Sequence, residues 1–160
     1  MLCGIDFSTK QIDAALIPLD PGNHDVAAVT FRTAPIQSGL RGADRIRDAA
    51  HAARQLLFDV KGYEVASVWI EEPFGAYRTA DRALLPLMGA LVAAIPQRMS
   101  VAVIGVQEWR RALGLPGSLT KVAAIDEATT RSGFDAITEH QAEALLVALA
   151  GRQQCWSMVA

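Results

Sequence analysis

Cysteine is nearly absent: Cys3 and Cys155 are the only two in 160 residues. Two thiols so far apart build no disulfide framework and offer no metal-ligand spacing, so they read as small buried thiols of a reducing compartment. Aromatic residues are scarce, at 6%. Long hydrophobic runs are missing too. The longest, around Ala90–Ile95 and Val101–Val106, fall far short of the ~20 residues that span a bilayer. The opening Met1-Leu2-Cys3-Gly4-Ile5-Asp6 puts a carboxylate where a signal peptide needs an apolar stretch. Neither export nor a membrane span is expected; a cytoplasmic location is. An excess of one charge is also lacking, because 15 basic and 17 acidic residues leave a formal net charge of −2. The basic footprint usual in nucleic-acid binders is therefore absent. Lysine is rare within the basic set, with Lys10, Lys61 and Lys121 among the 15 and arginine making up the rest. Arginine forms the forked contact to phosphate that lysine cannot, although a GC-rich gene gives the same bias. Charge alone decides nothing.

What is present is apolar: 51% of the side chains. That composition excludes a disordered or fibrous chain, and the length fits a single domain over residues 1–160. Leu2–Ser8, Asp13–Leu19 and Val26–Arg32 read as three consecutive antiparallel strands, the last two joined by the turn cluster Asp20-Pro21-Gly22-Asn23. From Ala43 to Lys61 the apolar residues recur at helical spacing. Val65–Glu71 is a fourth strand and Thr79–Ile95 a second helix, which Pro86 is expected to kink or divide. Ser100–Val106 is a fifth strand. Helices are expected over Gln107–Leu113, Ser118–Ser132 and Glu139–Ala150. Three strands, then alternating helix and strand, then helices, imply a mixed sheet with helices packed on its faces. The expected class is an α/β three-layer domain.

Four carboxylates sit in apolar company. Asp6 lies between Ile5 and Phe7, Glu71 and Glu72 close the run Val68-Trp69-Ile70, and Glu143 stands among Ala142, Ala144, Leu145 and Leu146. A carboxylate near a core costs several kcal/mol unless a cation or hydrogen bonds compensate. Taken singly, a strand-end carboxylate is ordinarily solvated and a helix glutamate ordinarily faces water. The four together, at strand and helix ends that can converge, point toward a metal site. His140 stands three residues before Glu143, so both project from one helix face. Glu72, next to Glu71, is expected on the opposite face of the sheet.

Here the residues reach a resemblance. Gly4-Ile5-Asp6-Phe7-Ser8-Thr9 resembles the opening strand of the RuvC family of Holliday-junction resolvases, within the RNase H-like superfamily. Trp69-Ile70-Glu71-Glu72-Pro73-Phe74 is similar to that family's second acidic motif. Gly114 to Val122 resembles its glycine-containing turn before a helix with an early lysine, here Lys121. His140-Gln141-Ala142-Glu143-Ala144-Leu145 is similar to its final helix, where two metal-binding residues three apart precede Ala-Leu. The likeness runs over nearly the whole chain. It implies an RNase H-like fold, a mixed five-stranded sheet with helices on both faces, and Asp6, Glu71, His140 and Glu143 as the catalytic, metal-binding set. Glu143 stands where the family usually has Asp, and His140 is a softer ligand than the Asp of many members, which tilts the set toward Mn²⁺ over Mg²⁺.

The implied function is structure-selective hydrolysis of four-way DNA junctions. Such chemistry needs an in-line water and a stabilised leaving 3′ oxygen, which two divalent ions ~3.5–4 Å apart provide. Two such cations also turn a net charge of −2 into +2. The resemblance further implies that Phe74 is an aromatic wedge at the junction centre. Arg78 and Arg82 would line the groove, and Lys121 sits at a helix N-terminus suited to phosphate. Arg110 and Arg111 are DNA-contact candidates too, although a solvated amphipathic helix explains them equally. The apolar helix containing Gly89, Ala90 and Ala93 has a face to spare for a second subunit, and a two-fold dimer suits paired cuts. Three alternatives stand beside this reading. One is an RNase H-like nuclease for other branched DNA or RNA/DNA hybrids. Another is a non-catalytic junction-binding protein. The third is a sugar- or acetate-kinase-like phosphotransferase, whose first phosphate loop Gly4–Lys10 also resembles, but 160 residues leave no room for the second lobe.

Overall fold

The computed structural model describes residues 1–19, 29–59, 64–73, 78–135 and 137–157. Five strands and five helices follow one another as β1 (Leu2–Phe7), β2 (Gln11–Ile17), β3 (Thr30–Pro35), α1 (Gly42–Asp59), β4 (Ser67–Glu71), α2 (Arg78–Ala94), β5 (Ser100–Ile104), α3 (Val106–Ala112), α4 (Lys121–Ser132) and α5 (Glu139–Ser157). The sheet order is β3-β2-β1-β4-β5. β2 runs antiparallel to both β1 and β3, while β4 lies parallel to β1 and to β5. The sheet is therefore mixed, as expected.

β1 holds the centre and is buried along its whole length. A strand covered on both faces has no wet side, which is why Leu2-Cys3-Gly4-Ile5 shows no polar alternation. Cys3, Ile5 and Phe7 pack with Val68, Ile70 and the apolar stripes of α1 and α2. Leu2, Ala15, Trp69 and Ile104 pack on the other face with Trp109 of α3, Ala124 and Ala128 of α4, and Ala142 and Ala144–Ala150 of α5. Helices thus cover both faces. Among the described residues no helix is long and apolar enough to cross a membrane.

The docking of α5 sets the geometry of everything functional. A Cβ on Gly4 would overlap the backbone oxygen of Ala144 and the backbone nitrogen of Ala148. The helix therefore lies directly on the β1 backbone, closer than any side chain at position 4 permits. Farther along, a Cβ on Gly151 would run into the indole of Trp69. α5 is buried all round, from Ala144 through Ala150. A helix apolar on every side is one enclosed by protein.

The structure moves several expected boundaries. α5 continues past Ala150 to Ser157, because Gly151 serves close packing on Trp69 and does not cap the helix. α4 starts at Lys121 rather than Ser118, since the Thr120 hydroxyl accepts the Ala123 N–H at 3.2 Å and caps it there. β5 stops at Ile104, and Gly105 begins α3 with its N–H donated to Glu108 Oε2 at 3.0 Å. α2 runs unbroken through Pro86, so the proline does not divide it. β3 occupies Thr30–Pro35, later than Val26–Arg32, in a register that pairs Leu16 with Thr30 and Gln11 with Pro35. The turn cluster Asp20–Asn23 lies outside the described residues.

Candidate metal centre and cleft

β1, β4 and β5 are parallel, so their C-terminal ends share one edge of the sheet. Open α/β sheets bind ligands at that edge, where the strands stop and helices begin. Asp6, the penultimate residue of β1, belongs to the face covered by α5, two residues on from Gly4. It is only 7% exposed. Directly opposite it on β2 is Asp13, 1% exposed. Asp13 accepts from Gln11 Nε2 at 2.6 Å and from Thr33 Oγ1 at 2.5 Å. Two carboxylates facing each other across a strand pair repel, and these hydrogen bonds offset part of that cost for Asp13. Sequence alone does not single out Asp13. Its signal was an acid between Ile12 and Ala14, but only the β1–β2 register sets it beside Asp6.

From above, the first turn of α5 lowers His140 and Glu143 onto Asp6. His140 Nδ1 donates to Asp6 Oδ2 at 2.5 Å. That hydrogen bond holds the imidazolium and pushes its pKa from 6.5 up to about 9, against the opposing effect of burial. Asp6, His140 and Glu143 each offer a donor atom, all within 4.8 Å of one another. Glu143 is pushed up to about 7, first by burial and then by the charge of Asp6. Glu71, at the end of β4, is pushed up to about 8 by burial and by the charges of Asp6 and Glu143. Carboxylates that hinder one another's ionisation at close range form a site short of positive charge. One imidazole and two carboxylates, those of His140, Asp6 and Glu143, make up the close group, and such a set suits a divalent cation with a preference for oxygen and nitrogen; Glu71 stands outside that group and is tied to it by charge.

A cleft of about 520 Å³ opens beside this cluster, lined by Glu71, Glu72, Glu108, Arg110 and Glu143 among others. Glu72 lines the same cleft as Glu71, not the opposite face. β4 ends at Glu71, so strand alternation no longer governs the residue after it. Trp109 Nε1 donates to Glu71 Oε2 at 3.1 Å, another contact the sequence reading did not foresee. Arg110 Nη1 donates to Gly117 O at 2.5 Å, and its guanidinium lies 5.3 Å from the Trp109 ring. Arg111 is exposed on the same helix. Lys121, first residue of α4, pairs with Glu139 of α5 and feels the charges of Glu143 and Asp6. The Glu139 contact is the main cause that raises its pKa. Arg78 and Arg82 fall in the first two turns of α2, their side chains outside the description. Phe74 lies outside the described residues.

No family model matches the sequence, and no curated protein does either. Solved structures match in fold. The Thermus thermophilus RuvC structure superposes with a TM-score of 0.74 at 16% identity, covering 98% of this chain and 96% of that one. T. thermophilus RuvC in complex with a Holliday junction substrate gives 0.73 at 14% identity, with 98% and 94% covered. The fowlpox virus Holliday junction resolvase gives 0.53 at 12%, with 96% and 98% covered. The chain therefore has the RuvC-type, RNase H-like fold.

Proposed function

We propose that this chain is a divalent-metal-dependent endonuclease that resolves four-way DNA junctions by paired phosphodiester hydrolysis. The observation that carries this reading is the meeting of Asp6, His140 and Glu143 within 4.8 Å, with Glu71 electrostatically coupled to them, in a RuvC-type fold. Asp6, Glu71, His140 and Glu143 would hold the two divalent ions, Mg²⁺ or Mn²⁺. Bound there, the ions supply the positive charge that activates an in-line water and steadies the departing 3′ oxygen. The protein contributes a buried strand end for Asp6 and a half-buried helix start for the pair above it. Lys121, beside the same carboxylates, is suited to a phosphate of the cut strand. Arg78, Arg82, Arg110 and Arg111 are the remaining candidates for backbone phosphates, and Phe74 for the wedge at the junction centre.

Paired cuts need two sites. A second copy of the chain is suited to the outer face of α2, where Leu85 and Val92 lie exposed seven residues apart with Gly89 between them. T. thermophilus RuvC, which shares the fold, has been captured on a Holliday junction substrate.

The test is a cleavage assay on a mobile four-way junction, a linear duplex and an RNA/DNA hybrid, with Mg²⁺ and with Mn²⁺. Symmetric nicks in the junction alone are expected. Asp6→Asn should abolish them while junction binding persists or tightens. Preferential cutting of the hybrid would assign the fold to a different substrate, and binding without cleavage by the wild type would make the carboxylates structural.

A further inference from the structure

Trp109 is wholly enclosed, with 0% of its surface exposed. A buried indole N–H needs an acceptor, and here the acceptor is Glu71 Oε2. Trp69 provides the contrast. Its Nε1 is buried too and has no hydrogen-bond partner among the described residues, so that indole serves packing, filling the space beside Gly151.

Several contacts keep the Trp109 ring where it is. α3 has only seven residues, too few to be stable alone, yet it is pinned at both ends. Glu108 closes its start on Gly105 N. Gln107 Nε2 and Arg110 Nη1 both donate to Gly117 O, and the Arg110 guanidinium lies over the indole. The donor is held before any ligand arrives. Glu71, by contrast, ends a strand and would otherwise rotate freely at its carboxylate. Among the described residues, no hydrogen bond engages its Oε1.

The geometry points to Trp109 as the residue that positions Glu71 for cation binding: its N–H holds one carboxylate oxygen so that the other is presented to a divalent ion. The inference rests on Glu71 being a metal ligand, as proposed above. Outer partners of this kind orient a ligand and contribute about 10–100-fold to metal affinity.

Two variants of the full chain test it. Trp109→Phe removes the N–H and shrinks the ring. Replacing Trp109 with benzothienylalanine, whose sulfur takes the place of the N–H, keeps the shape and guards against a loss that is merely one of packing. Calorimetry with Mn²⁺ alone should show affinity weakened at least about tenfold in both, and unchanged in Trp69→Phe. In the wild type, the Trp109 indole ¹⁵N–¹H resonance should shift as Mg²⁺ saturates the site. In cleavage assays the Mn²⁺ concentration for half-maximal rate should rise by the same factor, with kcat at saturating Mn²⁺ falling less than about threefold. Unchanged Mn²⁺ affinity in the benzothienyl variant, or an indole resonance indifferent to Mg²⁺, overturns the inference. Weakened Mn²⁺ binding in a protein that never cuts junctions would uphold it and refute the proposed reaction instead. A wild type that binds no divalent ion overturns both.

Discussion

His140 owes its retained proton to Asp6. The 2.5 Å hydrogen bond between them is the largest cause of a pKa raised to about 9, with Asp6 and Asp13 adding their charges. Burial acts the other way. Asp6→Asn removes both the charge and the acceptor preference for an imidazolium, so the His140 pKa should fall to 6.5 or below, as read from its ring carbon shifts in an NMR titration of EDTA-treated protein. Asp13→Asn removes a more distant charge and should give a smaller fall. Equal falls, or none, would mean that the imidazole is not held by Asp6. Asp6, Glu71 and Glu143 stand out in the sequence as carboxylates in apolar company, and His140 by its place three residues before Glu143. Asp13 and Trp109 do not. Asp13 gains its meaning from a cross-strand register, and Trp109 from the seating of a short helix against the end of β4. Neither relation is written in local pattern.

The contact between β1 and α5 is the element-scale joint of the molecule. Side chains normally separate a helix from a sheet, but Gly4 lets the α5 backbone at Ala144 and Ala148 approach β1 directly. Gly4→Ala must lift the helix, at a cost of roughly 1–3 kcal/mol or more. The lift moves His140 and Glu143 away from Asp6, so Mn²⁺ affinity should fall in calorimetry even where urea melts show a folded protein. A variant that binds Mn²⁺ as tightly as wild type would mean that the approach is not what sets the site. Element identity was largely legible, because β1, β2 and β4 are short apolar runs and α1 carries a helical apolar period. Ends were less so. The expected end at Ala150 falls short because Gly151 packs on Trp69 inside α5, and Pro86, expected to kink or divide α2, sits inside it, where Leu84 before it and Leu87 and Leu91 after it pack into the core. Tertiary contacts override both local signals.

At the scale of the whole molecule, two surfaces matter: one apolar and one titrating. The exposed face of α2, with Leu85 half exposed at 50%, is where a second copy is proposed to sit. Leu85→Arg places a charge there and should yield a folded monomer by sedimentation, with nicks in junctions no longer paired; an unchanged dimer would locate the interface elsewhere. The cluster of Glu71, His140 and Glu143 ties stability to pH. Glu71 and Glu143, raised from 4.5 to about 8 and about 7, keep protons in the folded state that the unfolded chain has lost. Folding is thus opposed as pH climbs through that window. His140 contributes stability that is complete below 6.5 and lost as pH passes about 9. All three act in one direction. In EDTA the Tm should therefore fall between pH 5 and pH 9, by roughly 5–10 °C for a domain of this size. Saturating Mn²⁺ favours the deprotonated carboxylates and the neutral imidazole, so its stabilising effect should be slight at pH 5 and largest near pH 8. Scanning calorimetry across that range, with EDTA and with Mn²⁺, measures both trends. A Tm that stays level or rises with pH in EDTA, or a Mn²⁺ increment independent of pH, would show that these groups do not crowd one another in the folded protein.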